Sequence, residues 1–377
     1  MINIKSSLIK LGDITMFSKG EQINGDLLIK DGQYDYLNGG INPSGKWNSY
    51  NVAGNTITIS EGGNSSGYVN YMSNNFWCGA HCYYLYNTLC DRKYLYYSLK
   101  SQQNRLMGIR SGACMPNIKK NDLANFMLKF HEDDKVQKKI AEIFTELDTC
   151  ISIKEKQLNN LTLFVKSRFI EMFGNPVQNY NHWKQYKLKD VTSKIGSGAT
   201  PRGGKESYPD EGISFIRSMN VHDGYFEFKD LAHLNDDQAM ALNTVTIEKN
   251  DVLINITGAS VARTCVVPEQ VLPARVNQHV SIIRCLHDVV NPVFINRQFL
   301  DSSFKRHLLN MGESGGATRQ AITKQQLEEM LVIVPPIVLQ NQFADFVAQV
   351  DKSKLAIQQS LDELETLKKS LMQQYFG

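Results

Sequence analysis

Gln137-Lys138-Lys139-Ile140-Ala141, running through Asp148 to Phe164-Val165-Lys166-Ser167-Arg168-Phe169-Ile170-Glu171-Met172-Phe173-Gly174, is written a second time in this chain. The second copy is Gln340-Asn341-Gln342-Phe343-Ala344, through Asp351 to Leu367-Lys368-Lys369-Ser370-Leu371-Met372-Gln373-Gln374-Tyr375-Phe376-Gly377. Matched positions stand 203 apart (137 to 340, 148 to 351, 174 to 377), so the copies align without a gap. A repeat this long with no slip is one structural element used twice.

Both copies read as helices. In the second, Phe343, Val347, Val350, Lys354, Ile357, Leu361, Leu364, Lys368, Leu371 and Tyr375 fall at alternating steps of four and three, the seam of a heptad coiled coil. The first has Leu147, Ile151, Lys154, Leu158, Leu161, Val165, Arg168 and Met172 at the equivalent places. Pro335-Pro336 starts the second helix, and Asp133 or Asp134 caps the first. At ~1.5 Å per residue each rod is roughly 60 Å long. Lys154 answers Ile357 and Lys354 answers Ile151, so each helix carries a cation where the other carries an aliphatic. Two readings stay open: the lysines fix the register of an antiparallel pair, or they snorkel at its edge.

What precedes each helix is duplicated more loosely. Lys10-Leu11-Gly12-Asp13-Ile14-Thr15 answers Lys187-Leu188-Lys189-Asp190-Val191-Thr192, 177 positions on (10 to 187). Ser111-Gly112-Ala113, with Ile118 and Leu123, answers Gly315-Gly316-Ala317, with Ile322 and Leu327, at an offset of 204 (118 to 322). The second globular segment therefore carries insertions. The expected architecture is α+β: two pseudo-repeated globular domains, 1–130 and 175–334, joined by two long antiparallel coiled-coil helices at 131–174 and 335–377.

With 377 residues, 42% hydrophobic and 21% charged, the chain can bury two separate cores. No apolar run approaches a membrane span and Met1-Ile2-Asn3-Ile4-Lys5 opens no signal-peptide core, so no membrane association is expected. Seven cysteines without framework spacing suit a reducing, cytoplasmic setting. A net charge of +3 permits a polyanionic partner without arguing for one.

Two similar heads on a rigid spacer have the geometry for reading a bipartite duplex site. The second head runs Gly196-Ser197-Gly198-Ala199-Thr200-Pro201, Tyr208, Ile216-Arg217-Ser218-Met219-Asn220-Val221, Asp251-Val252-Leu253-Ile254, Thr257-Gly258-Ala259, Asn277-Gln278-His279, Gly316-Ala317-Thr318-Arg319 and Val334-Pro335-Pro336. In that order these motifs resemble the target recognition domain of the specificity subunit of type I restriction-modification systems, and the duplicated helices resemble its two spacer regions. The first head departs from the pattern. Its Glu61-Gly62-Gly63-Asn64-Ser65-Ser66-Gly67-Tyr68-Val69 and Phe76-Trp77-Cys78-Gly79-Ala80-His81-Cys82-Tyr83 resemble another variety of recognition domain in the same family, and it lacks the Gly-x-Thr-Pro entry.

The resemblance implies a non-catalytic subunit that binds double-stranded DNA at an asymmetric bipartite target, one head per half-site. It implies two methyltransferase subunits and motor-nuclease restriction subunits as partners. The chain itself would need no cofactor; AdoMet, ATP and Mg²⁺ belong to the partners. Candidate DNA-contacting residues are Lys46, Trp47, Asn64, Ser65, Ser66, Tyr68 and Asn70 in the first head. In the second they are Thr200, Arg202, Arg217, Asn220, Arg263, Gln278, His279, Arg319 and Gln320. They are polar or aromatic and most sit beside glycines or small residues, where a side chain can leave the surface. The same residue types also build turns. Arg217 and Arg319 are the expected base readers, whereas Arg297, Lys305 and Arg306 lie in a stretch, Phe294 to Leu309, that reads as one helix.

Competing chemistry is thin. Asp210, Glu227 and Lys229 have the outline of a Mg²⁺-dependent nuclease site, the alternative reading of the chain as a self-sufficient restriction endonuclease. Gly198 to Lys205 is one residue too long for a phosphate loop, and Glu206 stands where Ser or Thr belongs. Cys78, His81, Cys82 and Cys90 are a weak zinc set. There is no Asn-Pro-Pro-aromatic tetrapeptide and no dinucleotide fingerprint.

Overall fold

The computed structural model of the chain describes residues 5–112, 116–201, 208–313 and 320–377. They form two compact units: 1–156 with 357–377, and 157–356.

Among the described residues the first unit holds nine strands: β1 (Ser6–Lys10), β2 (Met16–Lys19), β3 (Tyr34–Leu37), β4 (Gly45–Trp47), β5 (Thr56–Ser60), β6 (Val69–Met72), β7 (Phe76–Cys78), β8 (Cys82–Tyr86) and β9 (Met127–His131). They make a four-stranded sheet in the order β2-β8-β5-β6, a three-stranded sheet β4-β3-β7, and a ribbon β1-β9. Thr-Ile-Thr-Ile-Ser of β5 is buried at every residue, as a central, β-branched strand should be.

The second unit adds β10 (Gln185–Lys187), β11 (Thr192–Ser197), β12 (Ile213–Ile216), β13 (Val221–His222), β14 (Tyr225–Phe226), β15 (Ala232–Leu234), β16 (Val252–Asn255), β17 (Thr264–Val266), β18 (Ala274–Val276), β19 (Val280–Cys285) and β20 (Leu331–Ile333). Its sheets run β11-β19-β16-β17, β15-β12-β18 and β10-β20. Strand for strand this is the plan of the first unit. The parallel pair β3/β7 has its counterpart in β12/β18, and the antiparallel pair β3/β4 in β12/β15. The insertions foreseen from the growing offset are the β13-β14 hairpin, between β12 and β15, and the helix Asp236–Ala241, between β15 and β16.

The repeated segments are helices of 40 residues, Asp134–Phe173 and Ile337–Phe376. Asp133 caps the first, its carboxylate accepting from the Lys135 N–H at 2.8 Å. Within the first unit Phe144 stacks on Phe376 (5.9 Å) and Lys368 reaches Asp148 at 2.5 Å. Within the second, Phe164 meets Phe346 (5.1 Å) and Phe169 meets Phe343 (5.6 Å). Numbers rising on one helix meet numbers falling on the other, so the pair is antiparallel. Val165, Phe173, Phe343, Val347 and Phe376 are each under 4% exposed, so the helix ends belong to the cores of the units. Lys354 is half-buried at the seam edge, 3.9 Å from Asp351, and burial lowers its pKa.

Two buried glutamines tie each helix start to its unit in the same way. Gln137 donates to His131 O (2.7 Å) and accepts from Asp91 N (3.1 Å). Its repeat mate Gln340 donates to Pro335 O (2.7 Å) and accepts from Asn291 N (2.9 Å). Asp91 and Asn291 are the N-caps of equivalent helices, Arg92–Ser101 and Pro292–Leu300. Replacing either glutamine by Leu strands a buried N–H and carbonyl. The expected loss is ~1–3 kcal/mol per orphaned group, read as a lower urea midpoint for the unit concerned.

One expectation needs correction. The stretch 294–309 is two helices, Pro292–Leu300 and Ser302–Glu313. Asp301 breaks it, because its carboxylate accepts from Ser303 N (2.9 Å) and Phe304 N (3.2 Å), starting a new helix at Asp-Ser-Ser.

Candidate nucleic-acid interface

In the second unit the loops after β11, β16 and β18 converge on a chain of side-chain contacts. His279 Nδ1 lies 2.6 Å from Thr257 Oγ1, and its Nε2 lies 3.2 Å from the Gln278 amide nitrogen. The Gln278 oxygen accepts from the Thr200 hydroxyl. Gln278 is exposed while His279 is half-buried, so the imidazole and two hydroxyls hold an outward-facing amide in place. Gly258, at φ +74°, donates its N–H to Gln320 O (2.9 Å), which brings Gln320 to the same rim. Arg263 closes the 255–263 loop through its backbone, its carbonyl accepting from Asn255 N at 2.8 Å. The Arg263 guanidinium, half-exposed, has no partner among the described residues.

Arg217 and Asn220 stand differently. Arg217 donates to Asp230 O at 2.5 Å, lies over the Tyr208 ring at 5.9 Å, and keeps a buried Nε with no partner among the described residues. Asn220 is fully buried: its side chain accepts from Arg217 N (3.0 Å) and donates to Glu227 O (3.0 Å). It shapes the loop that presents Arg217. Arg202 and Arg319 lie outside the described residues.

In the first unit, Ser65 donates to Gly39 O (2.6 Å) and Asn70 to Gly40 O (3.4 Å). Ser66 is fully buried and donates to Glu61 O (2.7 Å). Glu61 in turn pairs with Lys19 and faces His81 at 3.8 Å. These serines and the asparagine therefore clamp one loop onto another, leaving Asn64 exposed at the tip. Tyr68 lies under Lys100, whose Nζ is 3.8 Å from the ring centre. Lys46 is exposed on β4, and Trp47 meets Trp77 edge-on at 6.5 Å. Sequence reading missed Lys100 and Gln103, which hold the loop from behind: Gln103 donates to Gly67 O (2.6 Å) and Lys100 to Val69 O (3.0 Å). Both sit on helices far along the chain from the loop they support, so no local pattern marks them.

The nuclease and zinc lookalikes find no support among the described residues. Glu227 accepts from the Lys229 N–H at 3.0 Å, a contact within its own turn. No group of three His, Cys, Asp or Glu among the described residues is placed to hold a metal ion. Cys78 and Cys82 are buried core residues, and the hydrogen bond between their side chains, together with burial, pushes the Cys78 thiol up. Burial pushes Cys90 up to about 12. Most of the phosphate-loop lookalike lies outside the described residues. No helix among the described residues is long and apolar enough to cross a membrane.

Comparison with known proteins gives one consistent answer. Residues 3–163 and 180–366 each match the family model described as the type I restriction modification DNA specificity domain. A putative type I specificity subunit of Mycoplasma pneumoniae is 30% identical over 207 residues, 52% of this chain and 54% of that protein. One from Mycoplasma genitalium is 32% identical over 192 residues, 48% of each chain. The chain thus spans about half the length of the curated relatives it matches. The crystal structure of a type I restriction-modification S subunit from M. genitalium superposes with a TM-score of 0.70 at 21% identity, covering 100% of this chain and 97% of that one, a likeness of fold.

Proposed function

Because this chain belongs to the family of type I restriction modification DNA specificity domains, carrying two copies of the domain, we propose that it is the non-catalytic specificity subunit of such a complex. Residues 1–130 and 175–334 each read one half of an asymmetric double-stranded target. The helices at 131–174 and 335–377 recruit two methyltransferase subunits, with restriction subunits added to the full complex in the cytoplasm. The observation that carries this is the repeated sheet plan with unlike rims: the same scaffold presents Thr200, Gln278 and Arg263 in one unit and Lys46, Asn64 and Tyr68 in the other. A self-sufficient nuclease built on Asp210, Glu227 and Lys229 has no such support.

The reading set is then Lys46, Trp47, Asn64, Tyr68, Thr200, Arg217, Arg263, Gln278, His279 and Gln320, with Arg202 and Arg319 carried from sequence. Ser65, Ser66, Asn70 and Asn220 act by holding the loops. An arginine forked onto guanine contributes ~1–3 kcal/mol of discrimination, while a phosphate contact weakens every sequence alike and lowers the salt slope by about one. In the assembled methyltransferase, Arg217→Ala or Arg319→Ala is expected to relax the second half-site selectively. Lys305→Ala should do little or act uniformly on every duplex, because Lys305 is already held by Asp223 (2.6 Å) and Ala262 O (2.6 Å). Binding to cognate and single-mismatch duplexes at two salt concentrations checks this. Equal losses on all duplexes would remove both arginines from the reading set.

A further inference from the structure

A groove of about 910 Å³ in the second unit runs between the C-terminal part of helix Asp134–Phe173 and the helices Pro292–Leu300 and Ser302–Glu313. Its apolar lining includes Phe169, Ile170, Leu300 and Leu309, with Lys166, Arg297, Lys305 and Arg306 around it. The nearby acids are already engaged. Glu171 pairs with Arg168 (2.8 Å), Asp223 with Lys305 (2.6 Å), and Asp301 caps a helix. Lys166 and Arg306 have no partner among the described residues, which leaves the groove with an excess of positive charge.

Arg297 is the anomaly. Its guanidinium is mostly buried, its Nε has no partner among the described residues, and its ion pair with Asp351 is long, 3.8 Å. Burial draws its pKa down, with Asp351 opposing only in part. Leaving a guanidinium desolvated and half-satisfied is costly. The fold does not require it. At the equivalent place in the first unit, Tyr97 donates to Asp148, the repeat mate of Asp351, at 2.9 Å.

We propose that this groove docks an acidic, aliphatic peptide segment of a methyltransferase partner, with a carboxylate seated on Arg297 and aliphatic side chains on Phe169, Ile170, Leu300 and Leu309. The inference rests on the reading that this chain recruits methyltransferase subunits. Charge complementarity selects a carboxylate, and the apolar floor selects a peptide over a phosphate backbone, which would leave that floor uncovered. Tyr97 stands where Arg297 does, so the first unit lacks this buried cation and the two units would hold their partners unequally.

The test uses the full chain and the purified methyltransferase subunit of the same system, without DNA. Arg297→Tyr installs the pairing that Tyr97 makes with Asp148, so the fold should tolerate it. It is expected to weaken subunit binding at least tenfold, with Arg297→Lys intermediate. A photo-crosslinking benzoylphenylalanine at Ser302, exposed at the groove's lip, should trap a methyltransferase peptide carrying Asp or Glu among aliphatic residues. Wild-type chain that binds no methyltransferase subunit removes the partner reading and the groove with it. Tight wild-type binding that Arg297→Tyr leaves unchanged removes the groove alone. Crosslinks solely to DNA or to a second copy of this chain also overturn it, and the crosslink decides the matter if the tyrosine variant fails to fold.

Discussion

Exchanging residues 1–130 for the equivalent domain of another family member is expected to change one half of the DNA target and leave the other untouched. Each unit has its own core. Leu11, Ile57, Ile59, Val69 and Leu95 belong to one in the first unit, and Val252, Ile254, Ile283, Phe294 and Phe343 to one in the second. A foreign first head must still meet the helix that follows it. It needs an N-cap backbone N–H for Gln137 and a donor such as Tyr97 for Asp148. Given those contacts, the second head keeps its rim. Each mismatched base pair costs ~1–3 kcal/mol, so a few changed pairs reduce binding of the old target to the non-specific level. Methylation mapping of the chimera reads the outcome. Simultaneous change in both halves would mean that the heads are not independent readers.

The two-unit architecture was only partly legible in the sequence. The long helices were readable because a seam at least half-buried along its length fixes both spacing and residue type, and an insertion of one residue would turn it out of contact. The shared plan of the heads was legible only near their ends, in the strip from Lys10 to Thr15 answered by Lys187 to Thr192 and in the segment before each long helix, and not in the strands between. Strand β7, Phe76-Trp77-Cys78, and strand β18, Ala274-Arg275-Val276, do the same topological task with nothing in common but extended backbone and burial. The partner of each lies some forty to sixty residues away, as with Asp35 paired to Phe76 and Ser214 to Ala274, and local sequence does not encode a pairing over that distance. The break at Asp301 was masked because Phe294, Phe304 and Leu308 continue the apolar pattern across it.

The rim was legible as composition and not as role. Gln278 and Asn220 look alike in sequence, polar amides in short motifs. Yet one is exposed at the rim and the other is fully buried holding a loop. Ser66 sits in a Gly-Asn-Ser-Ser-Gly run that fits a reading loop, and its hydroxyl points inward to Glu61 O. Residues that build turns and residues that read bases share the same chemistry, and only burial separates them. Arg297 is the reverse case. Within a helix it reads as a solvated charge, and its burial beside an apolar groove is what gives it meaning.

Lengthening both long helices by one heptad, near Asn159-Asn160 and at the matched position near Asp362, is expected to preserve each half-site and widen the gap between them. Asn159, Asn160 and Asp362 are exposed, so the insertions disturb no core. Seven residues keep the seam in phase, which four or five would not. At ~1.5 Å per residue they add ~10 Å, an upper limit of about three base pairs at ~3.4 Å each, less whatever the duplex absorbs by twisting or bending. Insertion into one helix alone should instead destabilise the pair, because contacts such as Asp148 with Lys368 in one unit and Phe164 with Phe346 in the other can no longer all be kept. Methylation mapping with the assembled methyltransferase separates these cases. A folded, active double insertion that still methylates at the original gap would show that something other than the helices sets the spacing.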